Sequence, residues 1–231
     1  MADFERDDLT WSEGDMPYSR RFGDYFYSQS DGRAECRHVF WGGNGLPERL
    51  QMPGDFTIGE LGFGTGLNFL ETWRSWRECG AAGKLSFVSF EAFPMTAEQI
   101  ERALVPWPEL TALADKLLAQ WPALSGTPTE WAMDERTALT VIVGDALNGV
   151  RNWAGMADAW YLDGFAPSLN PDMWSAELMQ ALADKTKAGG TFASYTAAGW
   201  VRRNLQAAGF SVEKRPGHAG KREMITGVKA V

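Results

Sequence analysis

FTIGELGFGTGLNFLETW, residues 56–73, decides the fold. Phe56, Ile58 and Leu61 form a short apolar run that enters glycines, the pattern of a buried strand over 56–62. GLNFLETWRSWRECG (66–80) then reads as a helix. Phe69, Trp73 and Trp76 lie at i, i+4 and i+7 on one apolar stripe, and Gly80 suits the C-terminal stop. Between strand and helix stand Gly62, Gly64 and Gly66. A backbone that turns sharply, and that must let a ligand approach its N–H groups with no Cβ in the way, needs glycine there. The helix start beyond offers unpaired N–H donors to an anionic group. The spacing is not the dinucleotide GxGxxG, because the third glycine comes one residue early and Asn68 follows at the helix start.

Outward from this unit, strands and helices alternate. LSFVSFEAF (85–93), LTVIVGDA (139–146), ADAWYLDGF (157–165) and GGTFASYT (189–196) read as four further strands. Helices are expected over 96–104, 108–121 and 197–209, and from Asn170 onward, where Asn170 can cap and Pro171 fits the first helical position. FSVEKRPG and REMITGVKA finish as two strands around a glycine-rich turn. The expected fold is α/β: a Rossmann-like, mostly parallel seven-stranded sheet with an antiparallel edge. Residues 1–50, rich in aromatics and charge but without periodicity, read as an extension packed on a main domain at 51–231.

Ligands of such sheets bind at the carboxyl ends of the strands. Glu91 ends the second strand, where a carboxylate can accept from both hydroxyls of a ribose, and Asp145 ends the third, where it can meet the exocyclic amine of adenine. With the glycine turn they describe a nucleoside ligand carrying an anionic arm. S-adenosylmethionine satisfies both halves; a pyrophosphate suits the turn less well. The candidate cofactor-binding residues are Glu60, Gly62, Gly64, Gly66, Leu67, Asn68, Glu91, Ala92, Asp145 and Ala146.

The fourth strand ends in LDGFAPSLNP (162–171), which resembles the D/N-P-P-F/Y arrangement of enzymes that methylate amino nitrogens. An amine reacts through its lone pair, so it must be neutral and aimed. A carboxylate can accept its N–H, fix its direction and offset the positive charge growing on nitrogen. Asp163 is therefore the candidate catalytic group, with Phe165 lying along a flat ring, and Pro167 and Asn170 completing the substrate loop.

Composition sets bounds. The 231 residues carry only two cysteines and two histidines, too few for a disulfide framework or a metal cluster, so no metal is expected. No basic-then-apolar leader and no long apolar run appear, giving the expectation of a cytoplasmic protein with no membrane association. The net charge of −8 argues against non-specific nucleic-acid binding, yet residues 185–231 hold nine Lys/Arg against two Asp/Glu. An acidic body with a basic C-terminal fifth can present a local phosphate-attracting face.

The segments SRRFGDYFYS, VFWGGNGLPERL, GELGFGTGLNFL, SFEAFP, LDGFAPSLNPDMW and AGWVRRNLQAAGFSVEKRPGHAGKREM run nearly end to end. In them the chain resembles the methyltransferase half of the MnmC family, the bifunctional tRNA 5-methylaminomethyl-2-thiouridine biosynthesis proteins. That resemblance implies a class I methyltransferase moving a methyl from S-adenosylmethionine to the 5-aminomethyl group of wobble 2-thiouridine in tRNA. It also implies a separate FAD-dependent oxidase acting on the same nucleoside, since no second nucleotide-binding motif follows here and FAD is not expected. For tRNA phosphates the candidates are Arg202, Arg203, Lys214, Arg215, Lys221 and Arg222; Arg203, Lys221 and Arg222 rank higher, and Lys214 and Arg215 fit plain surface charges. Two other readings stay open: an aminopropyltransferase of the spermidine synthase kind, and a silent binding subunit that keeps the fold to dock a partner.

Overall fold

In a computed structural model of the chain, residues 8–50, 54–121, 130–220 and 222–230 are described. Lys221 lies outside them. The N-terminal segment forms β1 (Leu9–Ser12), β2 (Met16–Ser19) and β3 (Asp24–Tyr25), a small antiparallel sheet, and then a short helix α1 (Gly32–Glu35). A wider helical turn, Cys36–Gly42, and α2 (Leu46–Arg49) lead into the main domain. That domain runs β4 (Phe56–Leu61), α3 (Leu67–Cys79), β5 (Leu85–Glu91), α4 (Ala97–Leu104), α5 (Thr111–Leu118), β6 (Glu130–Ala132) and β7 (Thr137–Val143). It continues through α6 (Ala146–Asn152), β8 (Ala157–Leu162), α7 (Ala176–Asp184), β9 (Thr186–Ser194), α8 (Gly199–Ala207), β10 (Phe210–Pro216) and β11 (Glu223–Lys229).

The main sheet has eight strands in the order β10-β11-β9-β8-β4-β5-β7-β6. The strands from β9 to β7 are parallel, and β11 inserts antiparallel between β9 and β10. The eighth strand, beyond the seven expected, is β6, which pairs antiparallel with β7 through three residues. Its short polar sequence carries too little periodicity to announce it. The chain builds β4, β5 and β7 to one side and then returns to lay β8 against β4. The strand order therefore reverses between β4 and β8, where ligands of this architecture bind.

Two apolar layers sandwich the sheet. Phe69, Trp73 and Trp76 of α3 are buried on one face, as their spacing predicts, and Trp160, Trp174, Leu178 and Leu182 fill the other. Helix α4 begins in a capping box formed by Thr96 and Gln99. The helix expected from Asn170 starts later. Pro171–Trp174 is a single tight turn without a side-chain cap, and Ser175 caps α7 by accepting from Leu178 N–H at 3.3 Å. Asparagine and serine cap about equally well, so the start at Ser175 is set by where the chain packs and not by the capping residue. No helix among the described residues is long and apolar enough to cross a membrane.

Candidate active site

The turn after β4 is built as its glycines require. Gly62, Gly64 and Gly66 have φ of +82°, +52° and +76°, a region costly to any residue with a Cβ. A Cβ at Gly62 would lie 3.7 Å from the Cα of Gly164, an ordinary contact, so the positive φ and not crowding is what calls for glycine there. That contact follows from register, since Leu61 pairs with Leu162 across β4 and β8. The glycine turn and Asp163 are thus neighbours at the point where the sheet divides.

Around them opens a cavity of about 850 Å³. Of the sequence-predicted residues, Gly62, Gly64, Leu67, Asn68, Glu91, Asp163 and Phe165 line it together. Asp163 is held from two directions: its Oδ2 accepts from Asn68 Nδ2 at 2.7 Å, and its Oδ1 from Gly164 N–H at 2.8 Å. Glu91 ties its strand end to the turn, accepting from Gly64 N–H at 3.0 Å and Phe93 N–H at 2.7 Å. A carboxylate has about four acceptor sites, so those bonds leave capacity for a ligand hydroxyl.

Glu60 lies beneath this floor with no exposure, accepting from Ser89 Oγ at 2.7 Å, while its Oε1 has no hydrogen-bond partner among the described residues. Burial pushes its carboxyl well up; Asp163 and Glu91 push the same way, against the hydrogen bonds of Ser89 and Asn68. The protonated acid is the form such a place favours, and it gives Oε1 or its neighbour a hydrogen to donate.

Other expected residues stand outside the cavity lining. Gly66 starts α3 and packs near Phe63 and Leu117. Asp145 is exposed and caps α6, accepting from Asn148 N–H at 2.9 Å, with Ala146 buried behind it in the helix. Pro167 is buried, and Asn170 closes its loop through its own N–H to Ala166 O at 3.0 Å. Neither lines the cavity, nor does Ala92. Arg203 and Arg222 are exposed. Arg222 follows the β10–β11 turn, whose Ala219 reaches the cavity and whose Pro216 carbonyl sits 2.9 Å from His38 Nε2. Lys214 pairs with Glu223 at 2.7 Å and Arg215 lies 3.8 Å from Glu213, in keeping with plain surface charges. Arg202 is half-buried, not turned fully outward as the apolar row of its helix suggested.

Sequence reasoning missed half of the cavity wall. Asp24, Phe26, Glu35 and Cys36 come from the N-terminal segment, and Tyr195 from the end of β9. Tyr195 OH donates to Gly164 O at 2.8 Å, and Asp24 Oδ2 accepts from Ala166 N–H at 3.0 Å, so both fix the Asp163 loop. Burial raises the Tyr195 phenol, and the charges of Asp163, Asp24 and Glu35, which line the same cavity, raise it further. Tyr195 ends a strand and was findable by that rule; Asp24 and Glu35 meet the site only through tertiary packing.

The electrostatics select the ligand class. The described lining residues include Asp8, Asp24, Glu35, Glu91 and Asp163 but a single guanidinium, Arg21. Such a wall repels a pyrophosphate and attracts a cation. A sulfonium donor with an ammonium group fits it; the glycine N–H groups themselves are taken, Gly62 by Phe90 O and Gly66 by Phe63 O at 2.9 Å and Gly64 by Glu91 at 3.0 Å, so the first turn of α3 is what faces its carboxylate.

A family of S-adenosyl-L-methionine-dependent methyltransferases has a model that matches residues 108–230, more than half of the sequence, and the chain belongs to that family. Among curated relatives, the tRNA 5-methylaminomethyl-2-thiouridine biosynthesis bifunctional protein MnmC of Pseudomonas aeruginosa is 44% identical over 232 residues, 98% of this chain and 36% of that protein. The protein of the same name from Methylobacillus flagellatus is 46% identical over 228 residues, 97% of this chain and 35% of its own length. The chain thus spans about a third of the length of the curated relatives it matches. Among solved structures, MnmC2 from Aquifex aeolicus shares the fold with a TM-score of 0.76 at 23% identity, over 97% of this chain and 71% of that one. The resemblance read from LDGFAPSLNPDMW and its companion segments agrees with these matches.

Proposed function

We propose that the chain transfers a methyl group from S-adenosylmethionine to the amine of 5-aminomethyl-2-thiouridine at the tRNA wobble position, giving 5-methylaminomethyl-2-thiouridine. The observation that carries this reading is the Asp163 carboxylate, held by Asn68 and Gly164 N–H beside the glycine turn at the dividing point of the sheet. The printed names of the curated relatives support the substrate.

The donor supplies a methyl on a positively charged sulfur. Gly62, Gly64, Leu67, Asn68 and Glu91 would hold it, with Glu60 beneath. Asp163 accepts an N–H of the substrate amine, which keeps the nitrogen lone pair aimed and offsets the charge that grows there. Two fixed hydrogen bonds keep that carboxylate from rotating, so no reorganisation is needed as the reaction proceeds. Phe165 lies along the pyrimidine, and Arg203, Lys221 and Arg222 supply phosphate contacts that position without specifying sequence. A separate FAD-dependent oxidase acts upstream to expose the amine, and the cytoplasm is where such a tRNA meets the enzyme. Aminopropyl transfer is disfavoured by the aromatic rings around Phe165, for which a polyamine has no use.

The test is incubation with labelled S-adenosylmethionine and tRNA lacking this methyl, followed by nucleoside analysis. Label in 5-methylaminomethyl-2-thiouridine is the expected result. Label in a polyamine, or none at all with the donor bound, rejects the proposal.

A further inference from the structure

We infer that Phe22, on the turn between β2 and β3, reads the substrate: it stacks on the pyrimidine that carries the reacting amine, on the side opposite Phe165. The inference rests on the function proposed above and names how the same site recognises its base.

Phe22 and Phe165 stack with centroids 4.7 Å apart and planes 22° apart. Phe26 meets Phe165 edge-on at 5.1 Å, and Phe93 lies 6.1 Å from Phe22 beneath the Arg21 guanidinium. All four rings line the cavity, yet Phe22, Phe93 and Phe165 belong to neither of the two apolar cores. Phe93 is 41% exposed. Rings gathered at a cavity mouth, partly open to water and outside the core, mark a binding surface for something flat and apolar.

The surroundings say what the flat thing is. Carboxylates of Asp163, Asp24 and Glu35 line the same cavity as Phe165, a wall that suits a cationic or amine-bearing edge. Arg21 lies over Phe93 and pairs with Asp8 at 2.5 Å, both groups being exposed, so a phosphate of the departing backbone would compete for its guanidinium with Asp8. A planar ring with an amine on one side and a phosphate on the other is a nucleotide.

At 4.7 Å the two rings leave no space for a third between them. A pyrimidine stacked on both faces needs about twice a single stacking distance. The turn can supply it. Its backbone is pinned, Gly23 N–H donating to Ser19 O at 2.8 Å and Phe22 N–H to Ser19 Oγ at 3.2 Å, so the space comes from rotation of the Phe22 side chain between the exposed Arg21 and Gly23. The adjoining Asp24 stays anchored to Ala166 N–H at 3.0 Å. The Phe22 ring swings outward beside that anchor, exchanging one ring contact for a base held on two sides.

The experiment uses the full chain, tRNA lacking the methyl, and Phe22→Ala, Phe22→Leu and Phe22→Trp. Loss of a base stack predicts KM for tRNA up roughly 5- to 150-fold in Phe22→Ala and Phe22→Leu, with S-adenosylmethionine Kd within about two-fold and Tm lowered by no more than roughly 6 °C for the lost ring contacts. Phe22→Trp is expected to restore KM, because it keeps a π-face. An unchanged KM in Phe22→Ala overturns the inference. So does Phe22→Leu performing like wild type, which leaves Phe22 as apolar cover only. A rise in donor Kd with tRNA KM unmoved also overturns it and gives the ring to the donor's adenine. Wild-type chain that methylates no such tRNA refutes the proposed function itself, and this inference with it.

Discussion

Glu71 of α3 joins the N-terminal wall of the cavity to the main domain. Its carboxylate is 1% exposed and receives Arg33 at 2.5 Å, Arg37 at 2.7 Å and Arg74 at 2.7 Å. Two of these arginines come from the α1 region that also carries Glu35 and Cys36. Replacing Glu71 by Ala leaves guanidinium groups facing a space with no acceptor. Breaking a buried pair costs about 3–5 kcal/mol. Arg33 keeps Glu109, Arg74 keeps Glu78, and Arg37 is half-exposed, so the lower end, about 3 kcal/mol, is the better figure. For a chain of this size that is a fall in Tm of roughly 6–12 °C.

Calorimetry on wild type, Glu71→Ala and Glu71→Gln measures it, with Gln expected between the two because it keeps one acceptor oxygen. The pH dependence is a second check. Burial drives the Glu71 carboxyl up, but hydrogen bonds from Arg74 and Arg33 and the charges of Arg33 and Arg37 outweigh it and hold it below its ordinary value. A carboxyl depressed in the folded state contributes stability that is full above its unfolded value of about 4.3 and is lost as pH falls through the folded value. The gap between wild type and Glu71→Ala is therefore expected to narrow in acid. A Tm difference under about 2 °C at neutral pH, where roughly 6–12 °C is expected, or a gap that widens in acid, refutes the reasoning.

Asp163→Asn is expected to lower methyl transfer by about 10²–10⁴-fold while donor affinity holds, read by single-turnover assays and calorimetry; transfer at the wild-type rate rejects its role. Gly64→Ala forces a Cβ onto φ +52° beside Phe26 at 3.4 Å, and donor affinity should fall by about ten-fold or more, measured by equilibrium dialysis. Arg203→Ala and Arg222→Ala should each raise KM for tRNA and reduce the log–log salt slope by about one, with donor affinity unchanged; an unaltered slope removes that residue from the interface.

The elements with strong local grammar were legible. Three glycines between an apolar run and an amphipathic helix announced a turn that only positive φ can make, and the stripe of Phe69, Trp73 and Trp76 announced a buried face. Asp163 was legible as a strand-end acid. Its partnership with Asn68 follows from β8 returning beside β4, which local pattern does not encode. Helix α6 escaped notice because seven residues carry too little periodicity. Asn170 was read as the helix start, whereas packing places it at Ser175. Asp24, Phe22 and Glu35 sit in a segment whose side chains make sense only once another part of the chain is laid against them.

That last arrangement divides labour between two walls. The face proposed to meet the methyl donor is made of strand ends locked in a hydrogen-bonded lattice, whereas the opposite face is a short leading segment held by a few ion pairs and ring contacts. Variation in the second can proceed without disturbing the first. Exchanging residues 19–30 between relatives is accordingly a practical way to redirect which acceptor is accepted while the alkylating half of the machine is left alone.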